Sequence, residues 1–184
     1  MCHTCANGRS VVLNIIFGLL GNYAKSASIE ISTASHNEVH LTDLAGIQCA
    51  RLVIATGTED GRRWAESKLK ALTGGDRIAA RFMRKDSFEF TPNFKLVISG
   101  NHRPGMRSVD EAMRRRMNLE PFSLTIPVAK RDPKLAENLR AERGGVLQWM
   151  IEGCLMWQRV SVAQFTAQVA LIPCAFEPAK RRRR

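Results

Sequence analysis

The sequence predicts an α/β protein in which helices cover the faces of a mostly parallel sheet, and three observations carry that prediction. Two short β-branched apolar runs, RLVIA at 51–55 and KLVIS at 95–99, have the unbroken hydrophobicity of strands buried on both faces. Segments with helical apolar spacing alternate with them, which favours helices packed over one sheet. With 184 residues, 45% of them apolar and 24% charged, the chain can bury one sizeable core and is too short for two comfortable domains.

Taken in order, Ser10 to Leu20 is an apolar run closed by Gly21, the pattern of a helix with a glycine stop. ASIEIS, at 27–32, alternates as a short strand, and VHLTDLAGI, at 39–47, is spaced as a helix. RLVIA and KLVIS follow as the two buried strands. Between them DGRRWAESKLKAL predicts a helix, TGGD breaks it, and RIAARFMRKDSFEF predicts a hairpin turning at Arg84, Lys85 and Asp86. A helix over Val109–Arg116 and a strand over Asn118–Leu124 come next. GVLQWMIEGCLMWQRV then puts Val146, Trp149, Met150, Gly153, Cys154, Trp157 and Val160 on one helical face. Residues 1–160 form the predicted domain, with a helical region at its C-terminal end. Residues 161–184 are a divergent basic tail that ends in KRRRR and shows no clear period, so tail, strand, helix and nucleic-acid arm all stay open.

The formal charge of +11 is concentrated in the middle of the chain. Residues 62–116 hold 14 basic and 6 acidic side chains, a net +8, whereas residues 1–61 hold 3 and 5, a net −2. Such a segment suits a polyanion, because neutralising phosphates releases counterions. Five cysteines (Cys2, Cys5, Cys49, Cys154, Cys174), with no export signal, argue against a disulfide framework. Cys2 and Cys5 form a C-x-x-C, but no second ligand pair stands at zinc spacing. No apolar run reaches the roughly 20 residues of a membrane span. A cytoplasmic protein with no membrane partner is expected.

The N-terminal HTCANGRSVVLN carries the first chemistry. A phosphate-binding loop needs glycine where backbone N–H groups approach phosphate, a lysine for the β- and γ-phosphates, and a hydroxyl for Mg²⁺. Asn7, Gly8, Arg9 and Ser10 occupy those positions, with Arg9 keeping the charge as a planar fork. Beyond RLVIA, the stretch Thr56-Gly57-Thr58-Glu59-Asp60 offers carboxylates that could hold a metal, and Glu59 joins Ser10 as a candidate Mg²⁺ ligand. Asn101 leaves the second strand where a polar group can meet a γ-phosphate or its water. Arg114, Arg115 and Arg116 could supply a finger to a neighbouring subunit's nucleotide. In the hairpin, Arg81, Arg84 and Lys85 stand beside Phe82 and Phe88, a mixture of phosphate-pairing and base-stacking groups.

These motifs, in this order, resemble the phage and plasmid primase-helicases, whose C-terminal part is a superfamily 3 helicase of the AAA+ class. The resemblance runs from Asn7 to about Val160, and GRRWAESKLKALTGGDRIAARFMRKDSFEFTPNFKLVISGNHRP and RSVDEAMRRRMNLEPF are its most specific stretches. It implies a P-loop ATPase that uses ATP and Mg²⁺, assembles as a homo-oligomer (a hexameric ring) and threads single-stranded DNA past interface hairpins in DNA replication. The P-loop Lys and Ser would fall on Arg9 and Ser10, and the Walker B acids on Gly57 and Glu59. The Lys-x₃-Gly-Gly-Asp signature before the hairpin would fall on Lys70, Gly74, Gly75 and Asp76, so Lys70 joins the DNA-binding candidates. Sensor 1 would be Asn101, and the arginine finger Arg116, with Arg115 as the alternative. Arg9, His3 and Gly57 depart from the family pattern, and no residues precede the loop to build the strand before it. The sequence therefore predicts a truncated, degenerate helicase domain whose sheet lacks its first, central strand, with an inactive DNA-binding or assembly remnant as the alternative.

Overall fold

A computed structural model of the chain describes residues 7–34, 41–57, 63–101, 110–122, 124–160 and 169–173. Helix α1 (Arg9–Leu20) opens it, and Gly21 ends it at φ 52°, with its N–H donating to the Phe17 carbonyl. Next come β1 (Ala24–Ser28), α2 (Leu41–Gly46), β2 (Leu52–Thr56), α3 (Glu66–Gly74), and the hairpin strands β3 (Ile78–Arg81) and β4 (Ser87–Phe90). The order continues with β5 (Lys95–Gly100), α4 (Glu111–Arg116), β6 (Met117–Leu119), α5 (Leu135–Ala141), α6 (Arg143–Val160) and β7 (Val169–Pro173). Among the described residues no helix is long and apolar enough to cross a membrane.

Five strands form one parallel sheet in the order β1-β2-β5-β7-β6. Strand alternation sorts its side chains onto two faces. Val53, Ala55, Leu96 and Ile98 join Ile31, Ile47, Trp64, Leu69, Leu72 and Met113 in the larger core, beneath the α3 and α4 side. Leu52 and Ile54 point the other way, onto Leu13 and the half-buried Ile16, Phe17 and Leu20 of α1. Helices therefore cover both faces, as the two apolar runs require.

The expected gap at the centre of the sheet is not there. β7 pairs in parallel with β5, from Leu96↔Val169 to Gly100↔Pro173, and with β6, from Met117↔Val169 to Leu119↔Leu171. The C-terminal segment thus satisfies the backbone groups that a missing strand would have left unpaired.

Three local expectations shift. ASIEIS is not one strand: β1 lies earlier, and Ile29–Ile31 form a 3-10 turn with Ile29 and Ile31 both buried. Ser28 Oγ accepts from Glu30 N, while Ser32 Oγ and Thr33 Oγ1 both donate to the Ile29 carbonyl, local bonds that compete with a sheet ladder. Helix α3 begins at Glu66, because buried Trp64 bridges Thr33 and Ala65 N donates to the Ser32 carbonyl. Strand β6 stops at Leu119, two residues before Pro121, which has no N–H for a ladder. Helix α6 forms as predicted, and along its expected apolar face Val146 and Met150 are half-buried while Trp149 and Trp157 are 67% and 38% exposed, so that face is only partly covered within the described residues.

Candidate functional site

The carboxyl ends of parallel strands are where α/β sheets place ligands, and α1 begins there. Gly8, the residue before α1, has φ 77°, a left-handed conformation suited to glycine. Asn7 holds the turn from both sides: its Oδ1 accepts from Arg9 N at 3.2 Å, and its Nδ2 donates to the Phe122 carbonyl at 3.1 Å. Arg9 is buried, and its fork turns inward. Nη1 donates to the Gly100 carbonyl at 2.7 Å, and Nη2 donates to Asn101 Oδ1 at 3.2 Å. The first candidate phosphate cation and the candidate sensor are thus bonded to each other at the end of β5. Charge-assisted bonds of this kind are about twice as strong as neutral ones.

Beside them is a cavity of about 330 Å³ lined by Ser10 and Asn14 of α1, Ser26 of β1, Thr56 of β2 and Ser99 of β5 over an apolar floor of Leu13, Phe17 and Ile54. Ser10 is exposed at its wall, open to a ligand. Sequence reading singled out Ser10 but not Asn14, Ser26, Thr56 or Ser99. The signal for Thr56 and Ser99 was a polar residue at the exit of each apolar run. Asn14 and Ser26 become visible only once α1 and β1 are placed.

Gly57, where the resemblance would place an acid, leaves β2 at φ 97°, and its N–H donates to the Ser99 carbonyl at 3.1 Å. An L side chain is strained there, so a carboxylate at this position would need a different backbone. Glu59 lies outside the described residues, as do His3, Cys2, Cys5, Cys174 and the terminal KRRRR. Among the described residues no three His, Cys, Asp or Glu side chains gather as a metal site.

The remaining candidates form two separate groups. Lys70 Nζ pairs with Asp110 Oδ2, and Arg116 Nη1 donates to the Lys70 carbonyl at 3.2 Å. Asp110 also caps α4, its Oδ1 accepting from Met113 N at 2.8 Å. The Lys70 hydrogen bond first, then the Met113 N–H and the nearby cations, hold the Asp110 carboxyl below its usual value. Lys70 and Arg116 thus join α3 to α4, while Arg115 forms an exposed pair with Glu111 at 3.2 Å.

The second group is the hairpin, which turns where expected. Arg84 sits at φ 59° and Lys85 N donates to the Phe82 carbonyl. Arg81, Arg84 and Lys85 are exposed. Phe82 is 42% exposed and stacks on Phe88 with ring centroids 5.3 Å apart, and Lys85 Nζ lies 5.8 Å from the Phe82 ring centre. Cations and an accessible aromatic face stand together at the tip.

Residues 4–116 match a family of unknown function, DUF5906. A helicase-named protein of Acanthamoeba polyphaga mimivirus is 29% identical over 122 residues, covering 64% of this chain and 12% of its own length. A helicase-named protein of Frog virus 3 (isolate Goorha) is 29% identical over 134 residues, covering 65% of this chain and 13% of its own. The chain spans about an eighth of the length of these relatives.

Proposed function

The chain belongs to the DUF5906 family, and from that membership, its helicase-named relatives and its hairpin we propose a degenerate helicase domain that holds single-stranded DNA and turns ATP over slowly or not at all. The observation that carries the degenerate reading is the Arg9 fork. In a competent phosphate loop the cation is free for the β- and γ-phosphates. Here the guanidinium is spent on the Gly100 carbonyl and Asn101.

ATP would set its phosphates against the amino end of α1, where backbone N–H groups and the helix dipole favour anions. Ser10 would offer its hydroxyl to Mg²⁺, and Glu59 is the nearest carboxylate in sequence to the altered position Gly57. When bound, the ion would neutralise charge on the transferring phosphoryl group. In a homo-oligomeric ring, a neighbouring subunit's nucleotide could meet Arg116, whose Nη1 donates to the Lys70 carbonyl, or the more exposed Arg115 beside it on α4. DNA would lie along the hairpin, its phosphates on Arg81, Arg84 and Lys85 and a base on Phe82.

Two measurements test this. ATP turnover with oligothymidine present is expected at least about 100-fold below the roughly 1–100 per second of phosphoryl-transfer enzymes. A rate inside that range refutes the degenerate reading. Anisotropy of a labelled oligonucleotide should show affinity falling by orders of magnitude between about 50 and 200 mM salt. The double variant Arg84→Glu/Lys85→Glu should weaken it at least tenfold; unchanged affinity refutes the hairpin reading.

A further inference from the structure

A second cavity, of about 350 Å³, opens at the opposite end of the sheet, by the amino ends of its strands, among residues that precede β1, β2 and β5. Tyr23 leads into β1, Cys49 and Arg51 lead into β2, and Phe90, Asn93 and Phe94 join β4 to β5. We propose that this cavity takes one nucleobase from single-stranded DNA carried on the hairpin; the proposal rests on the hairpin reading above.

The hairpin and the cavity are continuous. Phe82 stacks on Phe88 at 5.3 Å, and Phe88 meets Phe90 at 6.2 Å, both within the range of interacting aromatic pairs. Phe90 is at once the last ring of this row and a wall of the cavity. The row therefore leads from the cationic tip to the cavity mouth.

The chemistry of the lining also suits a base. Tyr23, 61% exposed, supplies an accessible ring, and the half-buried Phe90 lines the wall beside it, while Phe94, 3% exposed, belongs to the core beneath. Every base has a π-face, so such rings hold bases with little sequence preference. Gln48 and Asn93 carry amides that both donate and accept, suited to the varied edges of different bases. Exposed Arg51 adds a cation for the phosphate at the entrance. The volume is at the small end of the roughly 300–1,000 Å³ of ligand pockets, the scale of a single base with its sugar.

The walls are also fixed in advance. Arg51 N donates to the Tyr23 carbonyl at 2.7 Å and Lys95 N to the Arg51 carbonyl at 2.9 Å, which ties together the entries to β1, β2 and β5. A site held in its bound shape loses less on ordering a ligand.

Tyr23→Ala tests the proposal, because a side chain this exposed adds little to the core. Binding is measured by anisotropy with oligothymidine and with an abasic oligomer of equal length. Losing one base-stacking ring should weaken oligothymidine about fivefold to a hundredfold, leave the abasic oligomer unchanged, and be rescued by Tyr23→Phe. In the wild-type protein, oligothymidine should also slow alkylation of Cys49 relative to Cys154, an exposed thiol on α6. If Tyr23→Ala binds as wild type and Cys49 reacts unhindered while Arg84→Glu/Lys85→Glu weakens binding, the cavity proposal fails and the hairpin reading stands. Equal weakening of both oligomers also overturns the cavity. Absence of any binding by the wild-type protein overturns both.

Discussion

Replacing Arg9 probes the candidate site most directly, because one side chain joins α1 to the end of β5. Arg9→Met keeps an apolar stem and deletes the guanidinium. Two charge-assisted bonds disappear, at 2.7 Å to the Gly100 carbonyl and 3.2 Å to Asn101 Oδ1. Bonds to charged groups contribute about 1.5–3 kcal/mol each, and two made by one rigid fork sum to less than their separate values. The expected loss is about 2–5 kcal/mol, a large share of the roughly 5–15 kcal/mol of a domain. Arg9→Lys should fall between, because one ammonium does not reproduce a fork with two acceptors. Urea unfolding measures both, with an unchanged slope showing that the midpoint shift reports stability. Combining Arg9→Met with Asn101→Ala should cost less than the sum by about 0.5–3 kcal/mol. An Arg9→Met midpoint within about 0.5 kcal/mol of wild type, the scatter of ordinary surface changes, refutes the inward fork. So does strict additivity with Asn101→Ala.

Two further outcomes follow from other parts of the fold. Deleting residues 161–184 removes β7 and exposes the facing edges of β5 and β6, so the shortened chain should aggregate or melt broadly on heating; a sharp, reversible melt of a monomer would contradict the pairing. The depressed Asp110 carboxyl contributes stability at neutral pH that is lost as pH falls through its folded value, below the ordinary carboxylate range. Asp110→Asn should therefore lower stability slightly at pH 7 and converge with wild type in strong acid, as followed by denaturant midpoints across that range; a constant offset would show that the Lys70 pairing has no electrostatic share.

Elements governed by local pattern were legible in the sequence. α1 and its stop at Gly21, the runs that become β2 and β5, the hairpin turn at Arg84 and the helix over Arg143–Val160 all follow from spacing, β-branching and turn residues. Long-range pairing was not. VALIP at 169–173 is an apolar run with no mark of its partners, and its place between β5 and β6 depends on backbone groups far away in sequence. The Ile29–Ile31 turn misleads because an alternating I-E-I can bury both isoleucines without joining a ladder. In the site, residue types announced cations and hydroxyls at the right exits, but not their direction. Whether Arg9 reaches out to phosphate or in to Gly100 is decided by how closely α1 approaches β5, which no local pattern encodes.

The position of β7 also sets an order of events for the growing chain. Translation delivers β1, β2, β5 and β6 before Val169 exists, so until then β5 at the side of a three-stranded array and the short β6 both lack the strand that pairs with them. Closing that seam brings the last described strand back against segments that end at Gly100 and Leu119, contacts of long sequence separation that form slowly. In that interval the open edges are available to other chains, and a chaperone that shields them would act on this protein during synthesis rather than after it.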